Sequence, residues 1–369
     1  MTASFLHLLC KGEHHNLNII DFINDCGDEH QFIIFDRDNN TGPYLSHQSQ
    51  VRVMTGNSQL LPWLRQRHAD YDAVLVHGFF NHPLWELLAE NRQLCQKTSW
   101  VVFGAELLLD RYPIDAQKLI AIEQLRAAVV PQLSKVILVT PEERQLCATR
   151  YGRTTGYAYY LYPPFGDDGI ISPHYQKLLD GGGLSILMGN SSDPANRHEL
   201  LLPLLAAHYP DAIIYCPLAY SGNDHYRTQV LTLGDHLFGP RFVAMTDVMP
   251  IRDYHALIAK IDCWACAHDR QQAAQHYLQF FKNGGAILAT DDTPLANLFR
   301  RQGAMLASLA APPQSPQKWA QNGPSANNQA LYHQWYSRNR LIDQWRAILK
   351  SLIESAPPVY DGQDDQAAE

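Results

Sequence analysis

Short apolar runs recur along this 369-residue chain, each closed by small or polar residues and then followed by apolar positions at helical spacing. In the first half the strand-like runs are Phe5–Cys10, Gln31–Phe35, Val51–Met54, Ala73–His77, Ser99–Phe103 and Lys135–Thr140. Helical spacing follows, as in Ile19, Ile20, Phe22 and Ile23, or Leu60, Leu61 and Leu64. Strand-then-helix alternation predicts βαβ units and a mostly parallel sheet. Such sheets bind ligands outside the carboxyl ends of their strands. The loops Lys11–Asn16, Gly78–Asn81 and Gly104–Glu106 all lie at such ends.

Between Tyr157 and Gly183 the pattern breaks, with Pro163-Pro164, Gly166, Pro173 and Gly181–Gly183. It then restarts with Leu184–Met188, Ala212–Cys216, Phe242–Met245, Ile261–Ala267, Ala286–Thr290 and Met305–Leu309. The expected fold is α/β: two Rossmann-like, doubly wound domains facing a cleft, over residues 1–165 and 184–330. Residues 166–183 read as a linker and Pro312–Asn328 as loop. Residues 331–356 read as a terminal helix carrying Trp335, Leu341, Trp345, Leu349 and Leu352, and 357–369 as a disordered acidic tail.

A net charge of −8 argues against a broad basic face, so no nucleic-acid partner is expected. Seven cysteines do not suggest a disulfide framework. Cys263 and Cys266 match C-x-x-C, but inside a strand-like run they read as buried structural thiols rather than a redox or zinc pair. No run approaches the ~20 apolar residues of a membrane-spanning helix, and Met1–Cys10 reads as a first strand rather than a leader. The cytoplasm is the expected compartment. Leu107–Leu109, Leu119, Ile120 and Ile122, with Arg111, Lys118 and Arg126, suit either a helix lying on a bilayer or, more simply, core.

Four stretches carry candidate chemistry. Ile186–Glu199 reads as strand, small-residue turn and helix start; Gly189, Asn190, Ser191 and Ser192 then offer backbone N–H groups to a phosphate, or the turn is an ordinary one capped by Asp193 or Asn196. His14-His15-Asn16 and His77 sit at the edge of the first sheet, as contacts to a substrate or as a helix cap with solvated histidines. Glu106 is a general base on a rigid strand end, or a first-turn carboxylate favoured by a helix dipole. Arg270, with Gln271 and Gln272 beside it, opens a helix after a strand and is placed to clamp a diphosphate.

Taken in order, these pieces resemble glycosyltransferase family 56, the dTDP-N-acetylfucosamine:lipid II N-acetylfucosaminyltransferases of enterobacterial common antigen synthesis. The matching residues include His14-His15-Asn16, His77-Gly78, Phe80-Asn81, Leu84-Trp85, Gly104-Ala105, Gly189-Asn190-Ser191, Asp193, Asn196, His198, Pro217, Tyr220, Asp253-Tyr254 and Arg270–Gln272. The resemblance implies a GT-B fold with the acceptor in the N-terminal domain, residues 1–165, and the nucleotide sugar in the C-terminal domain, held by Gly189, Asn190, Ser191, Ser192, Asn196, Tyr220, Arg270, Gln271 and Gln272. It implies transfer of a 6-deoxy amino sugar from a dTDP donor to a polyprenyl-diphosphate-linked saccharide, peripherally at the cytoplasmic face of the inner membrane. Glu106, His14, His15 or His77 would supply the base, with no metal and no cofactor beyond the donor itself. Two departures stand out: Glu106 occupies a position where the family tends to have Asp, and Ala273-Ala274-Gln275-His276 replaces a Gly-rich run. Another nucleotide-sugar donor and acceptor, or a non-catalytic GT-B-like binding protein, are the alternatives.

Overall fold

The computed structural model describes residues 2–10, 13–36, 38, 40–112, 114–166 and 168–354, with only the backbone of residues 13 and 14. The chain divides into two units, Met1–Tyr160 joined by the C-terminal stretch from Ile342, and Leu161–Leu341.

The first unit holds a seven-stranded parallel sheet built from β1 (Ser4–Leu9), β2 (Glu29–Phe35), β3 (Val51–Met54), β4 (Ala73–His77), β5 (Thr98–Val101), β6 (Val136–Leu138) and β7 (Tyr157–Tyr159). Its order is β3-β2-β1-β4-β5-β6-β7. The second unit holds β8 (Ser185–Met188), β9 (Ile213–Pro217), β10 (Phe242–Met245), β11 (Cys263–Cys266), β12 (Ala286–Ala289) and β13 (Ala307–Ser308), ordered β10-β9-β8-β11-β12-β13. Both sheets are doubly wound. β4, β5, β8, β11 and β12 are buried along their whole length, which is why they read as unbroken apolar runs.

Several expectations need correction. Tyr157–Tyr159, assigned to the break in the pattern, is an edge strand paired with β6. The stretch read as a linker carries a helix, Pro173–Asp180, and Pro312–Asn328 carries helices Pro316–Gln321 and Pro324–Leu331. Proline at the first turn opens each of these three helices, because the missing N–H is one the helix would leave unpaired anyway. The expected terminal helix is interrupted: a π-helical turn over Tyr332–Tyr336 precedes the helix Arg338–Glu354. The tail expected over 357–369 lies outside the described residues.

The helix Arg338–Glu354 returns to the first sheet and buries Leu341, Ile342, Trp345, Ile348, Leu349 and Leu352 along one stripe. Trp345 stacks on His77 at 6.3 Å and meets Tyr160 edge-on at 5.5 Å, while Arg346 donates to the Cys26 and Asp25 carbonyls. Beneath it, buried histidines from β2, β1 and β4 form a chain: His7 Nδ1 is 3.0 Å from His77 Nε2, and His7 Nε2 is 3.1 Å from His30 Nδ1. The Gly27 carbonyl can only accept, so His30 carries its proton on Nε2 and the other tautomers follow down the chain. This pattern is that of three neutral rings. Burial holds His7 well below the usual histidine range, lowers His30, and brings His77 down to about 3.

A histidine that stays neutral when folded but charges when unfolded costs stability as pH falls below its unfolded value. Unfolding stability is therefore expected to drop from pH 6.5 toward about 3, at up to about 1.4 kcal/mol per pH unit for each such ring. Urea midpoints followed by tryptophan fluorescence across that range check this; a midpoint unchanged between pH 6.5 and 4 would contradict it.

Candidate functional site

In the second sheet the strand order reverses at β8 and β11, whose connections leave in opposite directions. Doubly wound sheets hold ligands at such a reversal, and here it brings together the loop 189–197 after β8 and the loop 267–273 after β11.

Asn196 organises the first of these loops. Its Oδ1 accepts from the Asn190 amide at 2.8 Å and from His268 Nε2 at 3.0 Å, while its Nδ2 donates to the Asp193 carbonyl at 2.9 Å and to Ser191 Oγ at 3.2 Å. Gly189 has φ +67°, and a Cβ there would lie 2.7 Å from Asn196 Oδ1, so only glycine passes beneath the carboxamide. The Ser192 amide donates to the Tyr220 carbonyl at 3.0 Å, its hydroxyl bonds the Tyr220 and Ser221 carbonyls, and Asn190 Nδ2 donates to the Tyr220 hydroxyl at 3.3 Å. The loops after β8 and β9 are thus joined.

This geometry corrects the expected phosphate site. The amides of Gly189, Asn190 and Ser192 are used within the protein, and Ser191, Ser192 and Asn196 are fully buried. They build the loop rather than face a ligand. Asp193 caps the single turn Pro194–Asn196, and the following helix begins at His198 after a left-handed Arg197.

The loop after β11 presents the polar groups. Arg270 Nη2 pairs with Asp193 Oδ2 at 3.0 Å, and both side chains are largely buried. Gln272 Nε2 donates to Asn190 Oδ1 at 2.8 Å and approaches Ser191 Oγ at 3.3 Å. His268 Nε2 faces only the carboxamide oxygens of Asn190 and Asn196, so it carries the proton, and burial holds this ring down at about 3. Arg270 Nε, Gln271 Oε1, Gln272 Oε1 and His268 Nδ1 are then left buried with no partner. One donor and three acceptors unpaired in one loop cost about 1–3 kcal/mol each. A ligand carrying both negative charge and hydroxyl or N–H donors would satisfy them.

The helix that Arg270 was expected to open starts at Ala274 instead and runs to Asn283. Ala273 precedes it in the left-handed region, φ 62° and ψ 30°. His276 points inward, its Nε2 2.8 Å from the Tyr254 hydroxyl. Trp264 on β11 links this helix to the first loop: its indole donates to the Gly189 carbonyl at 3.0 Å and its ring meets Tyr277 at 4.7 Å. Cys263 and Cys266 on the same strand are buried, with thiols pushed up by desolvation.

The first unit supplies less than expected. Glu106 is buried, its Oε1 accepting from the Phe103 amide at 2.7 Å and Trp100 Nε1 at 3.3 Å and so closing its own loop, while its Oε2 is buried with no partner. Burial also raises its pKa. His77 lies under Trp345, because alternation along β4 turns it to the face covered by the returning helix. His15 is exposed; the His14 side chain lies outside the described residues. Arg126, read as a possible bilayer contact, is buried over the Trp85 and Trp100 rings and donates to the Glu106 carbonyl at 2.6 Å. His268, His30 and His7 escaped the sequence reading; His268 stands just beyond β11, as Asn190 stands just beyond β8.

The chain matches the family model described as 4-alpha-L-fucosyltransferase, glycosyl transferase group 56, over residues 1–279. Solved structures similar to it include Anabaena HepE in complex with UDP-glucose (15% identity, 95% of this chain and 100% of that one, TM-score 0.71). Sucrose-phosphate synthase from Thermosynechococcus elongatus is similar at 12% identity, 94% and 98% coverage and TM-score 0.66. An alpha,alpha-trehalose-phosphate synthase (UDP-forming) from Burkholderia vietnamiensis follows at 11%, 97% and 98% coverage and TM-score 0.62. These neighbours have the GT-B fold, and the α/β architecture of this chain is of that class.

Ala273 carries a Cβ that the left-handed region disfavours. Ala273→Gly is expected to stabilise the protein by about 0.5–1 kcal/mol, a rise in Tm of about 2 °C. Scanning calorimetry checks the sign; a lowered Tm would show that the turn is not held in this conformation.

Proposed function

We propose that this chain, which belongs to the glycosyltransferase group 56 family, moves an N-acetylfucosamine or related 6-deoxyhexose from a dTDP donor to a polyprenyl-diphosphate-linked saccharide in surface polysaccharide synthesis. It is a glycosyltransferase; the donor, the acceptor and the place of action are the reading argued here. The observation that carries it is the group of unpaired buried atoms on Arg270, Gln271, Gln272 and His268 at the strand-order reversal of the second sheet. The charge that Arg270 offers suits a diphosphate, and the orphaned acceptors suit sugar hydroxyls, an acetamide N–H or the imide of a pyrimidine base.

In the reaction, an acceptor hydroxyl oxygen bonds to the anomeric carbon as the bond from that carbon to the diphosphate breaks. The electron pair leaves with the diphosphate, where Arg270 and the start of the helix Ala274–Asn283 stabilise the developing charge. The hydroxyl proton passes to a base. His15, exposed where Glu106 and His77 are buried, takes that role in this reading. Work at the cytoplasmic face of the inner membrane fits a peripheral attachment, since among the described residues no helix is long and apolar enough to cross a membrane. A UDP-linked donor is the second reading. It is favoured by the UDP-glucose complex of HepE.

Calorimetric titration with dTDP-, UDP- and GDP-sugars separates these readings. A dTDP-linked sugar is expected to bind most tightly, and binding by none of them would sink the assignment. Arg270→Ala is expected to weaken nucleoside diphosphate binding by about 10- to 100-fold, the worth of a charge-assisted hydrogen bond. An unchanged affinity would remove Arg270 from the site.

A further inference from the structure

The first unit contains a cavity of about 410 Å³ at the carboxyl ends of β1 and β4, and His77 of the histidine chain is among its lining residues. It opens where its own strand order reverses, between β1 and β4. Leu8, Ile33 and Val76 lie side by side in register on β1, β2 and β4 and form its floor; Phe35, Leu60 and Leu84 form its walls. The volume is in the range of small-ligand sites, yet nothing in the proposed donor chemistry uses it.

The rim is polar and incompletely paired. Asn81 stands at the N-cap of the helix His82–Glu90, but its side chain does not cap that helix. Instead Asn81 Nδ2 donates to Asn57 Oδ1 at 2.8 Å, and Asn81 Oδ1 is buried with no partner. His82 Nδ1 is likewise buried and unpartnered, while His82 Nε2 is 3.6 Å from Glu86. Lys118 lines the same opening from the facing helix Ala116–Val129 and is solvent-exposed. Phe80, half exposed, adds an apolar lip.

An apolar interior beneath a rim that, among the described residues, carries one ammonium group and two unsatisfied polar atoms suits an amphiphile, not a sugar or a free phosphate. A sugar would strand its hydroxyls against Leu8, Ile33 and Val76; a free phosphate would leave the interior empty. We infer that this cavity seats the head-proximal part of the lipid-linked acceptor's isoprenoid chain, with Lys118 meeting its phosphate and Asn81 Oδ1 accepting from the attached saccharide. This rests on the lipid-linked acceptor proposed above and assigns to it a site in the first unit.

The test is calorimetric titration of the full chain with farnesyl phosphate, with inorganic phosphate and dTDP titrated separately. Farnesyl phosphate is expected to bind with a negative heat-capacity change, the mark of apolar burial, and inorganic phosphate not to bind measurably. Asn57→Trp, which fills the mouth, and Lys118→Glu are each expected to weaken farnesyl phosphate at least tenfold and leave dTDP binding unchanged, which also shows that both variants fold. No binding of farnesyl phosphate at millimolar concentration, equal binding of inorganic phosphate, or wild-type affinity in both variants would overturn the inference. If farnesyl phosphate binds and no nucleoside diphosphate does, this site stands and the donor reading falls.

Discussion

The carboxamide of Asn196 joins the two loops that diverge at the reversal of the second sheet. It accepts from one loop through the Asn190 amide and from the other through His268, and it fills the space above Gly189 that a side chain would occupy. With Ser191 and Asp193 also bonded to it, the polar groups of the first loop turn inward. What remains for a ligand is displaced to the second loop, where Arg270, held by Asp193, and the two glutamines keep unpaired atoms. A buried hub of this kind is rigid because every one of its bonds lies in a low-dielectric interior, where losing a partner leaves another group unsatisfied.

The first unit shows the same economy of buried polarity in another form. Three neutral histidines cross the core in a hydrogen-bonded chain, Glu106 Oε1 accepts within its own loop, and Arg126 donates to that loop from the helix Ala116–Val129. Groups that look like acids and bases in one dimension here lie in the core, with Glu106 Oε1 and the histidine rings bonded inside the protein. The apolar cavity at the carboxyl ends of β1 and β4, which His77 helps to line, is the more informative feature of that unit.

Much of the fold was legible because parallel strands covered on both faces need apolar side chains at every position. The runs at Ala73–His77, Ile261–Ala267 and Ala286–Thr290 stood out for that reason, and the doubly wound class followed from their spacing. Tyr157–Tyr159 did not stand out: a three-residue edge strand has neither the length nor the double burial. The helices at Pro173, Pro316 and Pro324 were hidden by their prolines, which mark a break inside a helix but an ideal first residue at its start.

The site divides along the same line. The residues of the two switch-point loops were named from local pattern, since a strand end followed by a small-residue turn is a local event. Which of them face outward was not a local matter. Asn196 is turned in by His268, some seventy positions away, Ser192 by the Tyr220 and Ser221 carbonyls, and His77 is covered by a helix that returns from the far end of the chain. The sequence by itself determined the α/β class, the family and the loops that matter, because these depend on spacing along the chain. Only the tertiary structure decided which polar atoms are left unpaired, because hydrogen bonds between distant residues are settled when the strands come into register.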